Sequence, residues 1–274
     1  MIADHREFIG VIKDKVAQVD GKIVNLMISG SHLFGFASPD SDIDYRGCFQ
    51  LSTNKLLTTR KHKDYIEYKI LKEGMTVADT ELHDIYDKEV VLDELGKEVE
   101  LLLAGNCNHW EHLTARQLYT SETHREMWLI FSKQMNLNGI YHSYRGMADQ
   151  NYNKFILGGK HSVKKYLYVL RGLMAGYHTL DTGKIEPNIS ILATEYDSIV
   201  TKELIDLKSR GTEKGLVNKN KSKYDKEIDM WFKLIDDKAL QLPIIEQQEA
   251  EERRNVLDEW ICKKRLSYIN GHQS

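Results

Sequence analysis

The tightest constraint on the fold lies between Ile23 and Gly47. An apolar run, Ile23-Val24-Asn25-Leu26-Met27-Ile28, stops at Ser29-Gly30-Ser31, and a second strand-like stretch opens at Asp42-Ile43-Asp44-Tyr45-Arg46-Gly47. The first run reads as a buried strand, and the residues after Gly30-Ser31 read as a helix start. Such a turn is a phosphate-binding geometry: glycine lets the backbone approach an anion, and Ser31 and the free N–H groups donate to it. Ser31 reads equally as a helix N-cap, and one geometry serves both roles. After a Ser38-Pro39-Asp40-Ser41 turn the chain extends again. Residues two apart on a strand share a face, so Asp42 and Asp44 point one way, Ile43 and Tyr45 the other. Paired carboxylates repel unless a cation lies between them, which suits Mg²⁺ bridging carboxylate to substrate phosphate. Arg46 faces the same side, poised to pair with the acids or to touch a phosphate.

The 274 residues suffice for one large domain or two small ones. A net charge of −3 excludes a globally basic nucleic-acid binder, so any RNA contact needs a local patch. Cys48, Cys107 and Cys262 give neither a disulfide framework nor a zinc spacing. With no signal peptide or membrane span legible, the expected compartment is the cytoplasm. Few prolines and 29% charged residues favour a helix-rich protein.

Along the chain, residues 4–19 read as an amphipathic helix, with Phe8, Ile12 and Val16 at helical spacing. Residues 64–71 have strand character and 79–86 read as a further strand. Lys88 to Leu95 reads as a strand running into a helix that ends on Gly105, a C′ glycine. From about residue 114 strand signals vanish. Segments 121–135, 137–157, 160–180, 195–209, 223–240 and 246–269 are helix-like, broken at Gly183 and Pro187. The expected fold class is therefore α/β plus all-α: residues 1–115 forming a mixed sheet flanked by helices, and 116–274 a helical domain. Trp110, Trp128, Trp231 and Trp260 sit among apolar neighbours and read as core.

Taken together, Gly30-Ser31, the Asp42-x-Asp44 pair and the continuation Arg46-Gly47 resemble the DNA polymerase β nucleotidyltransferase superfamily. The wording Gly-Ser-x-x-x-Gly-x-Ala-x-x-x-Ser-Asp-x-Asp-x-Arg-Gly is similar to the predicted RNA-repair branch. The stretch around Lys97, Gly105-Asn106-Cys107-Asn108 and Glu111-His112-Leu113 also resembles that branch, with Cys107 where its members carry proline. The resemblance implies a polymerase β-type catalytic domain with two divalent ions (Mg²⁺ or Mn²⁺) and an NTP as substrate. Asp42 and Asp44 are then two of three metal-holding carboxylates. For the third, Glu89 aligns best, with Asp93 next and Asp79, Glu81 and Asp84 as further candidates. Gly30, Ser31 and Arg46 would meet the phosphates. The family carries a Lys followed by an Arg where this chain has Lys160, Lys164 and Arg171, on one helical face, as counter-charge for a triphosphate. Asn151 and Lys154 are weaker versions of the same idea.

The lysine-rich stretch from Lys208 to Lys226 is a candidate RNA contact, or simply a solvated loop. The activity implied is template-independent transfer of a nucleoside monophosphate to an RNA, with pyrophosphate release. The alternatives are adenylylation of a protein hydroxyl or small molecule, and a non-catalytic, antitoxin-like binding protein. A phosphodiesterase is disfavoured, because His83-Asp84 stands isolated.

Overall fold

The structure is a computed structural model and describes residues 2–38, 41–71, 86–159, 161–210, 221–243 and 247–270. The apolar run forms β1 (Gly21–Ile28), antiparallel to β2 (Ile43–Leu51), with Ile28 opposite Tyr45 and Gly21 opposite Leu51. The short helices α2 (Gly30–Leu33) and α3 (Thr53–Leu56) follow β1 and β2. Outer strand β3 (Tyr65–Leu71) pairs antiparallel with β4 (Tyr86–Glu94), and β4 lies parallel to β2. The strand expected over 79–86 falls outside the described residues except at Tyr86, which opens β4.

The described sheet has the order β3-β4-β2-β1-β5. Its fifth strand, β5 (Gln117–Thr120), pairs antiparallel with β1 and corrects the expectation that strands end near residue 114. Four residues are too few for an alternation to register in sequence, and here pairing with β1 makes the strand.

Alternation divides the sheet into two faces. Ile23, Leu26, Tyr45, Phe49, Val90 and Leu92 pack against Phe8, Ile12 and Val16 of α1 (Ile2–Ala17). On the opposite face Val24 and Cys48 join a larger core with α4 (Leu95–Leu103), α5 (Cys107–Thr114) and the later helices. These are α6 (Glu122–Phe131), α7 (Leu137–Asn151) continuing into a π-helical turn at Tyr152–Leu157, α8 (Val163–Thr182), α9 (Ile189–Glu195), α10 (Ile199–Ser209), α11 (Lys221–Ala239) and α12 (Gln247–Leu266). Buried α8 is the axis of this layer and ends on Gly183 at φ +70°. None of the helices in the described residues is long and apolar enough to cross a membrane. Trp110, Trp231 and Trp260 are core as expected; Trp128, 41% exposed, is not, because its side of α6 faces outward.

Helix α12 returns to the sheet. Glu94 caps α4 by accepting from the Gly96 N–H at 2.8 Å, and accepts from the Leu51 N–H at 3.2 Å. Arg265 donates to both of its oxygens, at 2.5 and 2.8 Å. The Tyr268 carbonyl accepts from the Thr53 N–H at 2.9 Å, which ties the chain's last described turn to α3.

Candidate active site

The two ends of the opening motif meet across the β1–β2 pair. The Ser29 N–H donates to the Asp44 carbonyl at 2.7 Å, which fixes the turn against the start of β2. Gly30 has φ +61°, a left-handed conformation natural to glycine. A Cβ there would stand 1.9 Å from Asp44 Oδ2, so only glycine lets the turn lie this close to the carboxylate. Ser31 is buried beside it and His32 is exposed.

Parallel pairing of β2 with β4 places Glu89 directly opposite Asp44. Arg46 lies between them: its Nη2 donates to Glu89 Oε2 at 2.6 Å and to Asp44 Oδ1 at 3.3 Å. Lys69, opposite Glu89 on β3, adds an ion pair to Glu89 Oε1 at 3.0 Å. Burial, then the neighbouring Asp42 and Glu89 carboxylates, push the Asp44 carboxyl up against the opposing pull of Arg46. Burial also acts to raise Glu89, but hydrogen bonds from Arg46 and Lys69 outweigh it and hold Glu89 below its usual range. Two half-buried carboxylates in register, with a guanidinium standing in the place of a cation, suit a divalent ion. Asp42 precedes β2 instead of lying on it and is exposed, so it joins the pair from the loop side.

Asp93, four residues along β4, is opposite Cys48, about 13 Å from the Glu89 position at strand spacing. There it pairs with Lys97 at 2.8 Å. Asp93, Glu98 and His109 bring ligand atoms within 4.8 Å of one another. His109 Nδ1 is 2.7 Å from Glu98 and Nε2 is 3.9 Å from Asp93, so the ring bridges the two acids from opposite edges. A single ion takes only one of those nitrogens, and a doubly protonated imidazolium fits the arrangement better. Burial works to lower the His109 pKa, but the two carboxylates raise it on balance. Asp79, Glu81, Asp84 and Lys160 lie outside the described residues, as do positions 211–220.

The helical layer approaches this site through Tyr168. Burial above all raises its hydroxyl pKa; Lys164 and Arg171 pull it down, while Asp44 and Asp42 add to the rise. Tyr168, Lys164, Lys165, Lys154, Phe155 and Asn151 line a cavity of about 410 Å³. Arg171 does not line it, contrary to the expected shared face with Lys164. Arg171 is 1% exposed, donates from Nη1 to the buried Glu111 at 2.5 Å, and has its guanidinium 3.7 Å from the centre of the Phe34 ring. Tyr144 donates to the same Glu111 oxygen at 2.8 Å. Arg171 is thus one layer behind the turn that carries Gly30, where its charge is satisfied internally. That partnership spans 60 positions and leaves no local mark in the sequence.

The lysine-rich stretch also differs from expectation. Lys208 is buried and donates to Ser38 Oγ at 3.2 Å, bracing the loop between the Gly30 turn and Asp42. Arg210 pairs with Asp206, Lys221 with Asp225 and Lys223 with Glu203, so these described cations already face carboxylates. Lys69 and Tyr168 escape sequence reasoning altogether, because each gains its place from a strand register or helix packing that residue type does not announce.

A family model described as RlaP, RNA repair pathway DNA polymerase beta family, matches residues 6–263. Among curated proteins the chain is similar to the "Uncharacterized protein YcgL" of Bacillus subtilis, 29% identical over 181 residues covering 64% of this chain. It is also similar to the "Uncharacterized protein MJ0002" of Methanocaldococcus jannaschii, 28% identical over 167 residues covering 60% of this chain. The match spans 63% of the length of each relative.

Proposed function

The chain belongs to this RNA repair pathway DNA polymerase beta family, and from that premise we propose that it is a metal-dependent, template-independent nucleotidyltransferase acting on RNA in the cytoplasm. The observation that carries the reading is Asp44 opposite Glu89 on parallel strands, directly beneath the left-handed Gly30 turn. Asp42, Asp44 and Glu89 would hold the divalent ions, which when bound supply charge neutralisation at the attacking and leaving oxygens of an in-line displacement.

The chain's own groups do the rest. Gly30 leaves backbone room for the triphosphate and Ser31 donates to it. Lys164 and Lys154, on the cavity beside Tyr168, supply counter-charge. Arg46, released from the acids, is available to a phosphate. A hydroxyl of the acceptor attacks the α-phosphate, the bond to the β-phosphate oxygen breaks and pyrophosphate leaves. Glu89, held ionised by Lys69 once Arg46 has moved to the phosphate, accepts the hydroxyl proton. Arg171 and Glu111 act by positioning, through Phe34.

The test is incubation of the full chain with each α-labelled NTP and Mg²⁺ or Mn²⁺, with total RNA or with protein alone. Label enters RNA, and Asp44→Asn abolishes it. Label confined to protein bands would transfer the activity to a protein hydroxyl. No label anywhere, with NTP affinity unchanged by Asp42→Asn and Asp44→Asn, would leave a binding protein in place of an enzyme.

A further inference from the structure

A second concave surface lies on the α1 face of the sheet, opposite the face that carries Asp44 and Glu89. The turn after α1 (Gln18, Val19), the end of β2 (Phe49, Leu51) and outer strand β3 enclose a cavity of about 790 Å³. Its floor is apolar and includes Tyr68; Tyr65, 38% exposed, borders it from the other face of β3, where the Lys97 ammonium is 5.1 Å from its ring centre. Its rim carries Lys55, Lys61, His62 and Lys63 against the single acid Glu67. A neighbouring cavity of about 510 Å³ shares Lys55 and adds Arg60, with Asp20 as the acid in its lining.

Among the described residues no carboxylate lies within ion-pair distance of Lys55, Arg60, Lys61 or Lys63. Lys208, Arg210, Lys221 and Lys223, by contrast, are paired or buried. On a chain of net charge −3, an unmatched basic rim is a local field that attracts a polyanion. Lys69 joins this surface to the carboxylates: it lines the cavity while its ammonium is 3.0 Å from Glu89.

We propose that this groove along β3 binds the single-stranded segment of the RNA acceptor. The rim cations would track its phosphates over the β3 edge, and Tyr65, on the face of β3 that carries Lys69, would stack a base, the combination by which proteins hold single strands without reading sequence. The proposal rests on the nucleotidyltransferase reading for its acceptor, and adds where that acceptor lies.

Fluorescence anisotropy of a labelled 12-nucleotide single-stranded RNA with the full chain tests it across a salt series. Lys61→Glu/Lys63→Glu should weaken binding at least tenfold. Loss of two phosphate contacts should also lower the slope of log affinity against log salt by about 1.4. Lys133→Glu/Lys184→Glu, with the same change in net charge, should leave affinity within about threefold. Binding of a fluorescent NTP analogue should be equal in all three proteins, which separates failure of the groove from failure of the site. Equal loss in both double variants, no loss in either, no RNA binding by the unaltered chain, or displacement of RNA by inorganic polyphosphate of the same charge as readily as by unlabelled RNA would each overturn the assignment.

Discussion

Replacing Gly30 by alanine perturbs the site at one atom. The added Cβ begins 1.9 Å from Asp44 Oδ2 and 2.9 Å from its Cγ, and ordinary contact starts at 3.4 Å. The carboxylate must therefore retreat by about 1.5 Å or the turn must open by as much. Either movement separates Asp44 from Arg46, now 3.3 Å away, and from its place opposite Glu89. A displacement of about 1 Å at a reacting centre costs on the order of 100-fold in rate, so pyrophosphate release should fall by about that factor or more. The left-handed backbone at φ +61° adds about 1–2 kcal/mol of destabilisation. In a chain of this size that corresponds to a fall in melting temperature of about 2–8 °C.

Gly183 supplies the control. It has φ +70° with nothing within 4 Å of an added Cβ, so Gly183→Ala carries the backbone cost without the clash. Both variants should melt early, and only Gly30→Ala should lose turnover. Turnover within about threefold of the unaltered chain in Gly30→Ala, or an equal loss in Gly183→Ala, would refute the close-packing argument.

The same geometry gives three further expected outcomes. Asp44 is raised from its ordinary value of 3.8, so the native state holds its proton more tightly than the unfolded chain, and stability contributed there is lost as pH rises through that range. Asp44→Asn should accordingly raise the metal-free melting temperature at pH 7 while abolishing transfer, with the gain vanishing below about pH 3.8; a lower melting temperature at pH 7 would contradict the reasoning. Arg171→Met leaves fully buried Glu111 without its counter-charge and should cost about 3–5 kcal/mol by denaturant unfolding. Adding Glu111→Leu should restore most of that, and a single-variant cost below about 1 kcal/mol would mean the pair does not brace the core. His109 is raised above 6.5, so its contribution is complete below pH 6.5 and is lost as pH climbs through the higher folded value. Unfolding free energy should slope downward above pH 6.5, and His109→Gln should flatten that slope.

The legible parts of the sequence are the local ones. The strand, the glycine turn and the returning strand announce themselves because each depends on neighbours within a few residues. Glu89 is readable as a candidate, but its place beside Asp44 comes from the β2–β4 register, which no local pattern encodes. Arg171 looks like a surface cation in line with Lys164, because helical spacing tells which residues share a face and not what covers that face. Its partner Glu111 is on a different helix. β5 escapes for the opposite reason: a strand of four residues carries almost no signal and exists by pairing with β1.

Glu94 has a kinetic meaning beyond its capping role. One nearly buried carboxylate is tied to the end of β2, to the first turn of α4 and to a guanidinium 171 positions later in the chain. Closing so long a loop is entropically expensive and comes late in folding. Until Arg265 arrives, the sheet holds an anion out of water with no opposite charge to meet it. The sheet and the helices behind it should therefore unfold as one cooperative unit, and a single transition seen alike by tryptophan fluorescence and by circular dichroism is the expected signature.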